Sequence, residues 1–319
     1  MPDTDPDADD ANGGDRPAAE AKCYLESAAE RLEDLRNERA RLVELLLVEG
    51  STGRARLKRR AAASGALANL AGADPASLEP FVPELVAELR REIERDVEGA
   101  DAERTATART VRDRLVGTLA RVLADSPGTA DRSVAAAFAR AVTADLETAT
   151  LRVATRATFV LADRHPEVLA SSADRLGALL AVPDPVVRAW AAGTVGRVAR
   201  ERPDAVAPVA ADLRRLLEHE DDAVRHNAVE ALATLARDRP DAVAPAGDRL
   251  HELLDHDDVA IQHNVTGTLG ALAPTHPEVV VPAVETIAGL THHDEQAVRN
   301  VAKGTLAQLA RERSDALKQ

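Results

Sequence analysis

Residues 203–239 read PDAVAPVAADLRRLLEHEDDAVRHNAVEALATLARDR, and the same 37-residue pattern begins again, without a gap, at Pro240 and at Pro277; it also begins one unit earlier, at Pro166. Each of these prolines is followed by an acid: Glu167, Asp204, Asp241 and Glu278. A period of this size is the mark of a solenoid, in which a unit buries its apolar face only against its neighbours. Within the unit, Pro203 opens a first helix, where a missing N–H costs nothing. A second proline five residues on (Pro208, Pro245 or Pro282) is expected to bend or offset that helix, because it deletes one ladder bond. Val206, Leu213, Leu216 and Leu217 form an apolar stripe. An acidic turn follows, with Asp221 or Asp222 placed to cap the second helix, whose Val224, Ala228, Leu232 and Leu235 recur at helical spacing. Glycines in register at 193, 267 and 304 suggest close helix approach.

Upstream the repeat fades. Gly65-Ala-Leu-Ala-Asn-Leu-Ala matches the later second helices, and Val111-Arg112 through Pro127 follows Val187-Arg188 through Pro203. The unit from Pro75 is 52 residues long, with the extra length around Asp96–Ala108, and the unit from Pro127 is 39. The expected organisation is an acidic, disordered tail over residues 1–17, an array over 18–313 that is irregular before residue 166, and a short tail over 314–319. A long helix from about Ala18 to Val48 could be the first layer of the array or the seam of a coiled-coil dimer. The fold class is all-α: a right-handed superhelical solenoid of about seven two-helix units. Ala, Leu and Val dominate the apolar residues and aromatics are only 2%, which suits helices packed through small aliphatic side chains.

Charge narrows the function. The 40 Lys and Arg against 54 Asp and Glu leave a net −14, and only four of the basic residues are Lys. That composition suits a protein adapted to high salt, such as one from a halophilic archaeon, although a GC-rich genome also favours Arg over Lys. An acidic surface argues against general affinity for nucleic acid or anionic lipid. The dense basic run Arg54, Arg56, Lys58, Arg59, Arg60 could grip a phosphate or an acidic partner, or be neutralised by nearby acids. The single cysteine, Cys23, excludes an intrachain disulfide and a cysteine zinc site. No signal peptide and no run of 18 apolar residues is present, so a cytoplasmic, non-membrane protein is the expectation.

The segments Asp184-Pro-Val-Val-Arg188, Asp221-Asp-Ala-Val-Arg225 and Glu295-Gln-Ala-Val-Arg299, each preceded by a proline-bearing helix, resemble the HEAT repeat; Asp258-Val-Ala-Ile-Gln262 departs from it. The resemblance is strongest over 166–313, and the short Ala-rich units also resemble the repeats of phycobilin lyases. It implies that Asp184, Asp221, Asp258 and Glu295 form a ladder with Arg188, Arg225 and Arg299 between successive units, setting their register, and that the second helices line a concave surface. Each arginine stands four residues after its acid, a helical pairing distance.

Chemistry is weakly written. No P-loop, GxSxG or Rossmann glycine pattern occurs. All nine histidines follow residue 164; His219, His256 and His293 share one turn position, and His226 and His263 share another. Equivalent positions in stacked units lie about 10 Å apart, too far for two to bind one metal ion at about 2.0–2.1 Å, so repeated polar turn and surface residues are expected. Deoxyhypusine hydroxylases have similar repeats with His-Glu pairs at second-helix starts, but this chain has His226-Asn227, His263-Asn264 and Asn300-Val301 there. Alkylpurine DNA glycosylases with HEAT-like repeats depend on basic concave surfaces. The reading that results is a non-catalytic scaffold without cofactor or metal, binding a protein partner through the outward side of the second helices: Arg197, Arg200, His226, Glu230, Thr234, Arg237, His263, Ala271, Gln308 and Arg311. The alternatives are a metal- or chromophore-linked enzyme, hydroxylase-like or bilin-lyase-like, or a nucleic-acid-binding array.

Overall fold

The computed structural model describes the backbone over residues 15–47, 54–97 and 102–316, and the side chains over 31–47, 57–94 and 105–312. Every regular element there is helical: α1 (Asp15–Leu47), α2 (Arg54–Ala73), α3 (Val82–Val97), α4 (Ala102–Asp125), α5 (Arg132–Ala141), α6 (Thr148–Arg164), α7 (Pro166–Ala170), α8 (Ala173–Leu180), α9 (Pro185–Glu201), α10 (Pro203–Val206), α11 (Ala210–Leu216), α12 (Asp222–Ala236), α13 (Pro240–Val243), α14 (Gly247–Glu252), α15 (Val259–Leu272), α16 (Pro277–Val280), α17 (Val284–Leu290) and α18 (Gln296–Ala316). Seven of them, α2, α4, α6, α9, α12, α15 and α18, pack shoulder to shoulder in chain order and form one layer. The first helices form the other layer, with α3 on α5, α5 on α7, α8 on α11 and α11 on α13. The chain is an α-solenoid.

The proline punctuation has a uniform result. Around Pro208, Pro245 and Pro282 the first helix breaks into two pieces joined by single 3-10 turns, Ala207–Val209, Ala244–Ala246 and Val281–Ala283. The residue before each unit-opening proline is pushed off the helical region: Arg202 has φ −135° and ψ 55°, and Arg239 and His276 repeat these angles within a few degrees. That residue makes the corner from one unit to the next. Val206, Leu213, Leu216, Leu217, Val224, Ala228, Leu232 and Leu235 are all buried. Each of the larger ones contributes about 1.5–3 kcal/mol of hydrophobic stabilisation, and the pattern recurs in every later unit, so stability is distributed along the array.

Several boundaries differ from expectation. Asp15–Pro17 belong to α1, since an acid and a proline suit the first turn of a helix, and α18 continues to Ala316. The remainder of the expected tails, 1–14 and 317–319, lies outside the described residues. Most of the Asp96–Ala108 insertion is helix that lengthens α3 and α4; residues 98–101 lie outside the described ones. Helix α1 rests on α2 and α3 as a first layer, burying Leu42, Val43 and Leu46.

Among the register glycines, close approach holds at one position. A Cβ on Gly193 would stand 2.8 Å from Phe159 Cε2, whereas at Gly267 the first neighbour is 3.5 Å away and at Gly304 nothing lies within 4 Å. Close approach also occurs at glycines outside that register, among them Gly196, against the Ala231 backbone, and Gly270, against Thr305.

Candidate interaction surface

The acids and arginines expected to form a ladder do not pair with one another, either within a unit or between successive units. Asp221 accepts N–H bonds from Ala223 (2.9 Å) and Val224 (3.1 Å), and Asp258 does the same for Ala260 and Ile261, so both are helix caps. The N–H bonds from Ile261 and Ala260 lower the Asp258 pKa. Asp184 caps Val187 and is bound by Arg152 of the preceding unit at 2.6 Å; the Arg152 bond holds its pKa below the usual carboxylate value. The arginines turn the other way, to carbonyls six residues back in the turn that precedes their helix. Arg188 donates to Val182 O at 2.6 Å, Arg299 to His293 O at 2.6 Å, and Arg225 to His219 O. A cation at the end of the first helix satisfies orphan carbonyls and complements the helix dipole, which an i,i+4 partner already engaged in capping could not match. Glu295 offers its backbone N–H to His293.

The turn histidines are part of the same device. His219, His256 and His293 each accept, through Nδ1, the backbone N–H of the acid two residues on, at 3.0, 2.9 and 3.0 Å. Arg225 also reaches His256 Nε2 of the next unit at 3.1 Å. Besides Arg152–Asp184, further ionic links between units fall at the unit-opening acids. Asp204 pairs with Arg239, and Asp241 with His276 (2.7 Å), each partner being the corner residue before the next proline. Partial burial would lower the His276 pKa, but its bonds to Asp241 and Glu278 outweigh that and raise it above 6.5. In the basic run, Arg60 is buried, paired with Glu88 and Glu92 of α3, and so is unavailable to a ligand; Lys58 and Arg59 are exposed, and the Arg54 and Arg56 side chains lie outside the described residues. No group of three or more His, Cys, Asp and Glu side chains among the described residues is placed to hold a metal ion.

The strip expected to meet a partner is only partly open. Arg200 and Arg237 are exposed, Arg311 is exposed, and His226, Glu230, His263 and Gln308 are half-buried. Thr234 is buried, because its hydroxyl turns back to Glu230 O at 2.9 Å, and Ala271 packs against the core. Gln308 bonds Glu312 at 2.8 Å within α18, the helix next to α15.

What the structure does bring together spans α6, α9 and α12. Phe159 and Trp190, two half-exposed members of a chain nearly devoid of aromatics, meet edge to face with centroids 4.9 Å apart. The Arg197 guanidinium lies 3.6 Å from the Phe159 ring centre, and also pairs with Asp163; burial there lowers its pKa. Arg200 pairs with Glu230 at 3.1 Å across to α12. Gly193 sits between Phe159 and Asn227, and its missing Cβ is what lets the ring lie there. Beside Trp190, a cavity of about 290 Å³ opens between α9 and α12, lined by Pro185, Val186, Ala189, Asp221, Ala223 and Asn227. Sequence reasoning passed over Phe159 and Trp190; the available signal was that the sole tryptophan of the chain falls on a second helix.

Charge is divided between the layers. Of the chain's 40 Lys and Arg and 54 Asp and Glu, the seven second helices hold 21 and 9, leaving 19 and 45 for everything else. The second-helix layer is therefore basic within an acidic chain.

A family model described as HEAT repeats matches residues 173–252. No curated protein matches the chain. Among solved structures, UNC-45 from Drosophila melanogaster superposes with a TM-score of 0.64 at 16% identity, covering 89% of this chain and 38% of that one. An engineered protein of the Northeast Structural Genomics Consortium gives 0.50 at 21%, covering 84% and 77%. A designed armadillo repeat protein in complex with the peptide (KR)4 gives 0.45 at 15%, covering 84% and 98%. The fold is that of HEAT and armadillo repeat proteins, and no described helix is long and apolar enough to cross a membrane.

Proposed function

We propose that this protein is a non-catalytic scaffold that binds another protein along the exposed side of its second helices. The observation that carries the reading is the row Phe159, Trp190, Arg197, Arg200 and Glu230, with the adjoining cavity, because it is a continuous surface assembled from three consecutive units. A solenoid presents such surfaces at little cost, since its core lies between the two helical layers. Half-exposed aromatic and arginine side chains are also the residue types that anchor protein interfaces. Arg237, His226 and His263 would extend the contact along α12 and α15, and Gln308 and Arg311 would mark its far end.

A photo-crosslinking residue placed at Arg200, at Arg237, or at Glu252 on the opposite layer tests this in cells of the native host. Capture of one and the same protein from the first two positions, and not from the third, is expected, and should survive deletion of residues 1–17. Capture from Glu252 alone, or its loss on deleting the tail, refutes the reading.

A further inference from the structure

The charge division and a second cavity say what kind of partner segment the surface takes. Between α4 and α6 lies a cavity of about 120 Å³, lined by the apolar Leu123, Val153 and Val160 and rimmed by Arg121 and Arg156. Arg156 is exposed and makes no ion pair with any described residue. Two helices along the same layer lies the cavity beside Trp190, where Val186 is 41% exposed. Between the two stand Phe159 and Arg197, with Arg152 and Arg200 close by on α6 and α9. The row thus alternates small apolar recesses with guanidinium groups.

Resting on the scaffold reading, we infer that this row binds an acidic, extended segment of a partner protein that places one apolar side chain in each recess. Packed helices are spaced about 8–10 Å apart, so the recesses are separated by about 20 Å. At about 3.3–3.6 Å per residue, the two apolar side chains stand about six residues apart, with Asp and Glu between them facing Arg156, flanked by Arg152 and Arg197, which also hold Asp184 and Asp163. Like charge repels this segment from the rest of the molecule, which holds 45 acids against 19 bases, and so confines it to the second-helix layer. A nucleic acid fits less well: it carries no aliphatic side chain to fill the two recesses, and the rings of the row, Phe159 and Trp190, already pack on one another.

The experiment uses the full chain and an array of 12-residue peptides made of Asp, Glu, Ser and Gly, with two leucines or phenylalanines three to nine residues apart. Trp190, the single tryptophan, reports binding through its emission. The expected result is tightest binding near a six-residue separation, and a tenfold or greater loss for Arg156→Glu. Arg140→Glu, the same charge change on an exposed position of α5, should leave affinity within about twofold, the difference between a local contact and a general field. The inference is overturned if no peptide binds, if peptides without the apolar pair or with Lys for the acids bind as well, or if a single-stranded DNA 12-mer displaces the best peptide at lower concentration. If crosslinks at Arg200 and Arg237 still capture a protein while the array fails, the scaffold stands and only the acidic-segment assignment falls.

Discussion

Alanine at the three glycines that share one register position should move stability in opposite directions. Gly304 sits inside α18 with nothing within 4 Å of a new Cβ, and Gly267 would gain only an ordinary 3.5 Å contact with Val301. Both replacements remove backbone entropy from the unfolded chain and should stabilise by about 0.5–1 kcal/mol. At Gly193 the same methyl stands 2.8 Å from Phe159 Cε2 and 3.1 Å from Cδ2. The ring must retreat by about half an ångström or more to reach ordinary contact distance, away from the position it shares with Trp190 and Arg197. Overpacking of this kind costs about 1–3 kcal/mol, more than the entropy gain returns. Urea melts followed by circular dichroism measure all three, and Trp190 emission should change for Gly193→Ala only. If Gly193→Ala stabilises the protein as much as Gly304→Ala does, the packing described for Phe159 is wrong.

Arg225→Ala should destabilise by about 1–2 kcal/mol through the turn carbonyl it leaves unpaired, and Arg237→Ala by no more than about 0.5 kcal/mol because it is exposed; equal midpoints in urea would show that the arginine does not cap the turn. Because the His276 pKa is raised in the folded state, its pairs with Asp241 and Glu278 stabilise fully below pH 6.5 and fade as pH climbs through the raised value. His276→Gln should therefore flatten the decline of stability as pH rises above 6.5, and an unchanged pH profile would exclude the pairing. The net charge of −14 predicts a melting temperature that rises from low salt to molar KCl as self-repulsion is screened; a flat or falling curve would remove the salt-adapted reading.

What the sequence disclosed was whatever is local to a unit. The prolines at 208, 245 and 282 break the first helix because a missing N–H acts within one turn, and Asp221 caps because its oxygen need reach only two residues on. The arginine column was visible as a pattern and its partner was not: a carbonyl six residues back becomes reachable only when the turn folds under the helix, and nothing in residue type marks a carbonyl as an acceptor. The aromatic row was hidden for another reason. Phe159 and Trp190 are 31 residues apart, in units of 39 and 37 residues, so they occupy different positions in the repeat. They meet because neighbouring second helices are offset along their axes, a geometry that aligning the repeats cannot display.

The corner residues carry a consequence for how such a chain changes length over generations. Arg202, Arg239 and His276 adopt nearly the same backbone angles before a proline, and each unit touches mainly the units on either side. Excising residues 203–239 would set Arg202 directly before Pro240, an Arg-Pro-Asp junction identical in type to the one removed, with Asp241 still opposite His276. Insertion of a copy would do the same in reverse. The gene can thus lengthen or shorten by whole 37-codon blocks without passing through a broken protein, and the surface gains or loses one stretch of binding face each time. Gain or loss of a whole block, rather than point substitution, is the step size this architecture offers to selection.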